Sequence, residues 1–186
     1  AWMDECQVRR QKTDASQQYP VAYLTCNFNG PVGDKPALFT HDEVVTLFHE
    51  FGHGLHHMLT KINVGGVSGI NGVAWDAVEL PSQFLENWCW QPEALSFISG
   101  HFETGKALPQ TLLNNMLAAR NFQSAMQMLR QLEFSLFDFS LHENFVAGQT
   151  NVQQLLDKVR EQVAVLIPPN FNRFQNSFGH IFAGGY

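Results

Sequence analysis

The chain has 186 residues, 45% of them hydrophobic, and a formal net charge of −6 from 11 Lys+Arg against 17 Asp+Glu. This is enough chain for one hydrophobic core, and the acidic balance leaves no basic footprint for a nucleic-acid partner. No apolar run reaches the eighteen or so residues of a membrane span. Cys6, Cys26 and Cys89 are too few and too widely spaced for a disulfide framework or a thiolate metal cluster, and they read as reduced structural thiols of a cytoplasmic protein.

Residues 1–19 are polar, and the stretch Gln11 to Gln18 reads as a loop. Val21 to Phe28 is rich in β-branched and aromatic residues and is ended by Asn29-Gly30-Pro31, which makes it the best strand of the chain. It is either a buried structural strand or an edge along which an extended peptide could add. Thr40 and Glu43 then form a capping box ahead of Val44, Val45, Leu47, Phe48, Phe51 and Leu55, which predicts a helix with a broad buried apolar face. Gly52 and Gly54 lie inside it, where each glycine costs about 1 kcal/mol relative to alanine. That cost points to another element, or a substrate, approaching the backbone closely.

The same helix carries His49-Glu50-Phe51-Gly52-His53. One turn separates the two histidines, so both imidazoles face one side and can share a metal ion. Glu50 projects beside them, where a carboxylate can take a proton from water at that ion. The bland alternative is a helix whose histidines pair with neighbouring groups. A catalytic zinc site needs a third protein ligand. The metzincin pattern is excluded, because its glycine and third histidine positions are occupied here by His56 and Leu59. His56 lies two turns, about 10 Å, along the axis from His49, too far to share the ion.

Residues 61–74 contain four glycines and a serine and are expected to be a flexible connection. Asp76 to Trp88 reads as a second helix that offers Glu79 as the missing ligand, with Glu86 and Asp76 as competitors. Gln83 and Glu86 would share a face with Glu79 and could orient the ligands through hydrogen bonds.

From Pro92 onward helices follow one another, with Pro92 and Pro109 suited to first turns. Asn121 to about Phe145 reads as a long amphipathic helix with Phe122, Met126, Leu129, Leu132, Leu136 and Phe139 on its core side. Thr150 and Gln153 look like a second capping box, opening a helix that ends before Pro168-Pro169. Phe171, Phe174, Phe178 and Phe182 are expected to form an exposed aromatic surface through which the chain self-associates. The expected architecture is mainly α: a zincin-like helical region with a small β element near residues 21–28, forming one domain over 1–186.

HEFGHGLHH at His49–His57, followed by WDAVELPSQFLENWCW at Trp75–Trp90, resembles the thimet oligopeptidase family of zinc metallopeptidases. The resemblance covers essentially the whole chain, from Pro20–Leu24 to Gly179–Tyr186. It implies one Zn2+ per chain held by His49, His53 and Glu79, with Glu50 as general base. It further implies that His180 and Tyr186 contact substrate or the developing oxyanion, and that the substrates are short unstructured peptides. Dipeptidyl carboxypeptidases are related to this family, so an exopeptidase is one alternative. A catalytically silent peptide-binding module is the other. Family members are several times longer and carry further tyrosines beyond the Gly-Gly-Tyr turn. The chain starts at Ala1 without a methionine and stops at Tyr186. It is therefore expected to be part of a larger catalytic domain, with a complete metal site, an incomplete substrate channel and reduced activity.

Overall fold

The computed structural model describes residues 1–183. The chain is mainly α and divides into two compact units, residues 1–114 and 115–186.

In the first unit, β1 (Trp2–Gln7) pairs antiparallel with β4 (Val21–Thr25). Between them β2 (Arg10–Gln11) and β3 (Gln17–Gln18) form a shorter antiparallel pair. The polar segment read as a loop is thus largely a nested hairpin. Its tip, Lys12–Ser16, does turn, held by the Asp14 carboxylate accepting from the Ser16 amide and hydroxyl at 2.9 and 2.6 Å. Glutamines make that hairpin polar: Gln7 and Gln18 use their side-chain amides to bond backbone carbonyls across it, a pairing that apolar periodicity cannot signal.

α1 (His41–Met58) begins at the predicted capping box. The Thr40 hydroxyl accepts from the Glu43 amide and the Glu43 carboxylate accepts from the Thr40 amide, so two otherwise orphaned donors are satisfied. Thr40→Ala is expected to lower the stability of this unit by about 1 kcal/mol, read as a shift in the urea midpoint at unchanged slope.

The buried side of α1 is not the apolar stripe expected. Glu50, Gly52, His53, Gly54 and His57 are the buried residues, whereas Phe51 is exposed and Val44, Val45, Leu47, Phe48 and Leu55 are only partly covered. The backbone of Pro81 and Ser82 approaches α1 closely at Gly52, and polar contacts are made at His49, His53 and His57 on the same helix. His57, fully buried, donates from Nε2 to the carbonyl of Gln7 at 2.9 Å, while its Nδ1 faces the Ile70 amide at 3.4 Å. It ties α1 to the end of β1 and to the segment that follows α1. That segment is organised rather than a loose connector. It contains a 3-10 turn (Gly65–Val67), the buried Ser68 hydroxyl donates to Ile62 O at 2.9 Å, and the Asn71 side chain donates to Gly65 O at 3.2 Å.

α2 (Leu80–Glu86) is shorter than predicted. Pro81 occupies the first turn, where its missing N–H costs nothing, and residues 75–79 before it form turns. A 3-10 turn (Asn87–Trp90) and α3 (Pro92–Ile98) follow.

α4 (Gln110–Ala119) leads the chain into the second unit, which contains α5 (Ser124–Asn144) and α6 (Val152–Val163). Their core is Phe137, Leu141, Leu156, Val159 and Ile181, with Phe174 and Phe178 packed against it. The face of α5 that is buried is therefore Glu133–Phe137–Leu141, at four-residue intervals. The predicted stripe is not the buried face: Phe122 precedes the helix and is exposed, and Met126, Leu132, Leu136 and Phe139 on it are exposed as well. The physical reason is an ion pair. The guanidinium of Arg160 on α6 bonds the Glu133 carboxylate at 2.9 Å, with both side chains buried, and this fixes which side of α5 meets α6. α6 is capped by Asn151, whose side chain accepts from the Gln154 amide at 3.1 Å. Thr150 instead accepts from the Val146 amide at 2.8 Å, so the second capping box does not form. Of the four phenylalanines near the end, Phe171 and Phe182 are exposed and Phe174 and Phe178 are half-buried. No helix among the described residues is long and apolar enough to cross a membrane.

Candidate metal centre

His49 and His53 leave α1 one turn apart, with ring centroids 4.9 Å apart and planes at 85°. Glu79 enters from the residue immediately before α2. Its Oε2 lies 3.2 Å from His49 Nε2 and 3.2 Å from His53 Nε2. Two ligands held at about 2.0–2.1 Å by a tetrahedral ion stand roughly 3.3 Å from each other. Both separations from Glu79 match that spacing, and a nitrogen–nitrogen–oxygen set is one that zinc accepts. Among the described residues, ligand atoms of His49, Glu50 and His53 also lie within 4.8 Å of one another. Glu50 is buried, at 6% exposure, beside these donors.

The surroundings set the protonation needed of a ligand. His49 Nδ1 stands 2.6 Å from Glu86 Oε1. A proton on Nδ1, facing that carboxylate, would leave the His49 Nε2 lone pair available to a metal ion. Burial pushes His53 below the ordinary histidine range, an effect the Glu79 carboxylate opposes. His53 is thereby favoured as the neutral imidazole that a metal requires. The Ser82 hydroxyl stands 2.6 Å from Glu79 Oε2 and 2.9 Å from the Glu79 carbonyl.

The sequence-predicted residues distribute as follows. His49, Glu50, His53, Glu79 and Glu86 are drawn together in the first unit. Gln83 is exposed on α2, and its backbone amide donates to Glu79 O at 3.0 Å. Asp76 is exposed in the turn before α2. His180 lies in a 3-10 turn (Gly179–Ile181) of the second unit, and Tyr186 falls outside the described residues. Sequence reasoning missed Ser82. A serine directly after a first-turn proline and three residues from a carboxylate is the pattern that would have flagged it. Cys89 is buried, and burial followed by the nearby Glu86 pushes its thiol up to about 11, which disqualifies it as a nucleophile near neutral pH.

Oligopeptidase A of Salmonella typhimurium is 65% identical over 187 residues, covering all of this chain and 28% of that protein. Organellar oligopeptidase A of Arabidopsis thaliana is 47% identical over 190 residues, all of this chain and 24% of that protein. Dipeptidyl carboxypeptidase of Escherichia coli is 34% identical over 180 residues, 95% of this chain and 26% of that protein. The chain spans about a quarter of the length of these relatives. The pattern of Peptidase family M3 matches residues 1–186, so the histidine–glutamate cluster and both units around it fall within that match, and the chain belongs to Peptidase family M3.

Proposed function

We propose that this chain carries the metal site and general base of a zinc metalloendopeptidase that hydrolyses short peptides in the cytoplasm. The observation that carries the reading is the approach of Glu79 Oε2 to within 3.2 Å of both His49 Nε2 and His53 Nε2, with buried Glu50 alongside. Family membership and the oligopeptidase names of the relatives support it. His49, His53 and Glu79 would hold one zinc, which when bound supplies Lewis acidity that makes water easier to deprotonate and a carbonyl easier to attack. The Glu50 carboxylate accepts a proton from the attacking water as its oxygen bonds the scissile carbonyl carbon. Glu50 then delivers that proton to the amide nitrogen as the C–N bond breaks. Glu86 holds the tautomer of His49 through this sequence. His180 and Tyr186 would donate hydrogen bonds to the substrate or the oxyanion.

One relative favours a second reading, because dipeptidyl carboxypeptidase is 34% identical to this chain. Mass spectrometry of products decides between them. An endopeptidase cleaves inside a C-terminally amidated peptide. Release of C-terminal dipeptides from free-ended peptides alone, with amidated ones untouched, would establish the exopeptidase instead. Zinc titration of the protein that carries this sequence is expected to saturate at one ion per chain. Saturation unaffected by His49→Ala and Glu79→Ala would remove the ligand assignment.

A further inference from the structure

Two residues without a metal-facing atom stand where α1 and α2 meet. A Cβ built on Gly52 would lie 2.6 Å from Pro81 O, 2.6 Å from Ser82 Cα and 2.9 Å from Ser82 N. All three are backbone atoms, which cannot rotate away as a side chain would. Any residue but glycine at 52 therefore forces the start of α2 away from α1. The contact sits between His53, the next residue on α1, and Glu79, three residues before Ser82. Gly54, on the same helix, is different: its added Cβ meets only the Leu24 Cδ2 methyl at 3.4 Å, an ordinary contact.

Ser82 is fully buried at this contact. Its single hydroxyl proton has two acceptors within reach, Glu79 Oε2 at 2.6 Å and Glu79 O at 2.9 Å. The carbonyl already accepts from the Gln83 amide at 3.0 Å, and the carboxylate bond is the shorter and is charge-assisted. The hydroxyl therefore donates to Oε2, the same oxygen that faces both histidines.

We infer that Gly52 and Ser82 are positioning residues for the metal: Gly52 sets the separation of α1 and α2, and the Ser82 hydroxyl aims Glu79 Oε2 at the histidine pair. The inference rests on the zinc assignment above. A constellation of this kind tolerates about 0.5 Å of displacement, less than the shift a Cβ at Gly52 demands. Loss of a hydrogen bond to a ligating carboxylate typically weakens metal binding about 10–100-fold.

The test is zinc affinity, by competition with a chromophoric chelator, together with apo-protein melting temperature. Ser82→Ala and Gly52→Ala are each expected to raise the zinc dissociation constant about 10–100-fold. Gly54→Ala, the matched control, is expected to leave it within about twofold and the fold unharmed, since alanine favours helix. A purely structural role for Ser82 would lower the apo melting temperature and leave zinc affinity alone, which would overturn the inference. So would a folded Gly52→Ala chain that binds zinc like Gly54→Ala. If Ser82→Ala does not fold, Ser82→Cys keeps a side chain of similar size with a weak donor, and its zinc affinity is judged by the same criterion. A parent chain that binds no zinc fails the assignment itself, and this inference with it. A parent that binds zinc through His49 and Glu79 but is indifferent to Ser82→Ala and Gly52→Ala fails this inference alone.

Discussion

Glu50→Gln, made in the protein that carries this chain, is expected to keep its zinc and lose about 10²–10⁴-fold in turnover, the range that a positioned general base contributes. Glutamine has nearly the shape of glutamate, so the buried site is not emptied, and none of His49, His53 or Glu79 is altered. What disappears is a carboxylate able to accept the water's proton and return it to the leaving amine. The zinc dissociation constant should therefore stay near the parent value while kcat falls. His53→Ala provides the contrast: it removes a donor 3.2 Å from Glu79 Oε2 and should lose metal and activity together. Near-parental turnover by the glutamine variant at full zinc occupancy would take the base role away from Glu50.

The part of this site that was legible in the sequence is the part that depends on local geometry. A four-residue spacing places His49 and His53 on one face of any helix, and the Thr40/Glu43 box locates where that helix starts. From spacing alone Glu79 was legible only as one of three carboxylates, because nothing local distinguishes it from Asp76 or Glu86; the family resemblance is what singled it out. The structure separates them by place: Asp76 is exposed in a turn, Glu86 meets the far nitrogen of His49, and Glu79 meets the near nitrogens of both histidines. Ser82 and the need for glycine at 52 were not legible as such. Both express the distance between two helices that meet at positions about thirty residues apart in the chain, and no periodicity within either helix encodes it. The cost of glycine in a helix did indicate a close approach, but not to which of Gly52 and Gly54 it applied. Only Gly52 has backbone against it.

The buried faces of α1 and α5 differ from those that apolar periodicity predicts, for a related reason. Apolar periodicity assumes that the apolar side faces inward. On α1 the inward side carries glycines, histidines and Glu50, and it is there that the candidate metal donors and the close backbone approach at Gly52 are located. On α5 it carries Glu133 together with Phe137 and Leu141. Functional and ionic groups thus dictated orientation where the apolar residues would have chosen another face.

That ionic device in the second unit carries the largest stability effect expected outside the metal site. Glu133 and Arg160 are 3% and 2% exposed. Glu133 Oε1 accepts from Arg160 Nε at 2.9 Å and from Arg130 Nη1 at 2.7 Å, and Arg160 Nη2 donates to Asn172 Oδ1 at 2.8 Å. Glu133→Leu would leave the Arg160 guanidinium buried opposite the neutral Asn172 side chain, without its carboxylate partner, and breaking a buried pair in this way costs about 3–5 kcal/mol. Removing both charges, as Glu133→Leu with Arg160→Met, should cost far less, because the desolvation penalty disappears along with the attraction. Arg130→Ala should cost about 1 kcal/mol or less, since that side chain is 41% exposed and its pairing is screened by water. The chain has two units and need not unfold in one step, so the measurement should be local. Amide hydrogen exchange across α5 and α6 is expected to accelerate strongly in the single Glu133 variant and to recover most of its protection in the double variant. Equal losses in the two would mean that the charges do not act as a pair, and that the packing of Phe137, Leu141, Leu156 and Val159 alone fixes the orientation of α5 against α6.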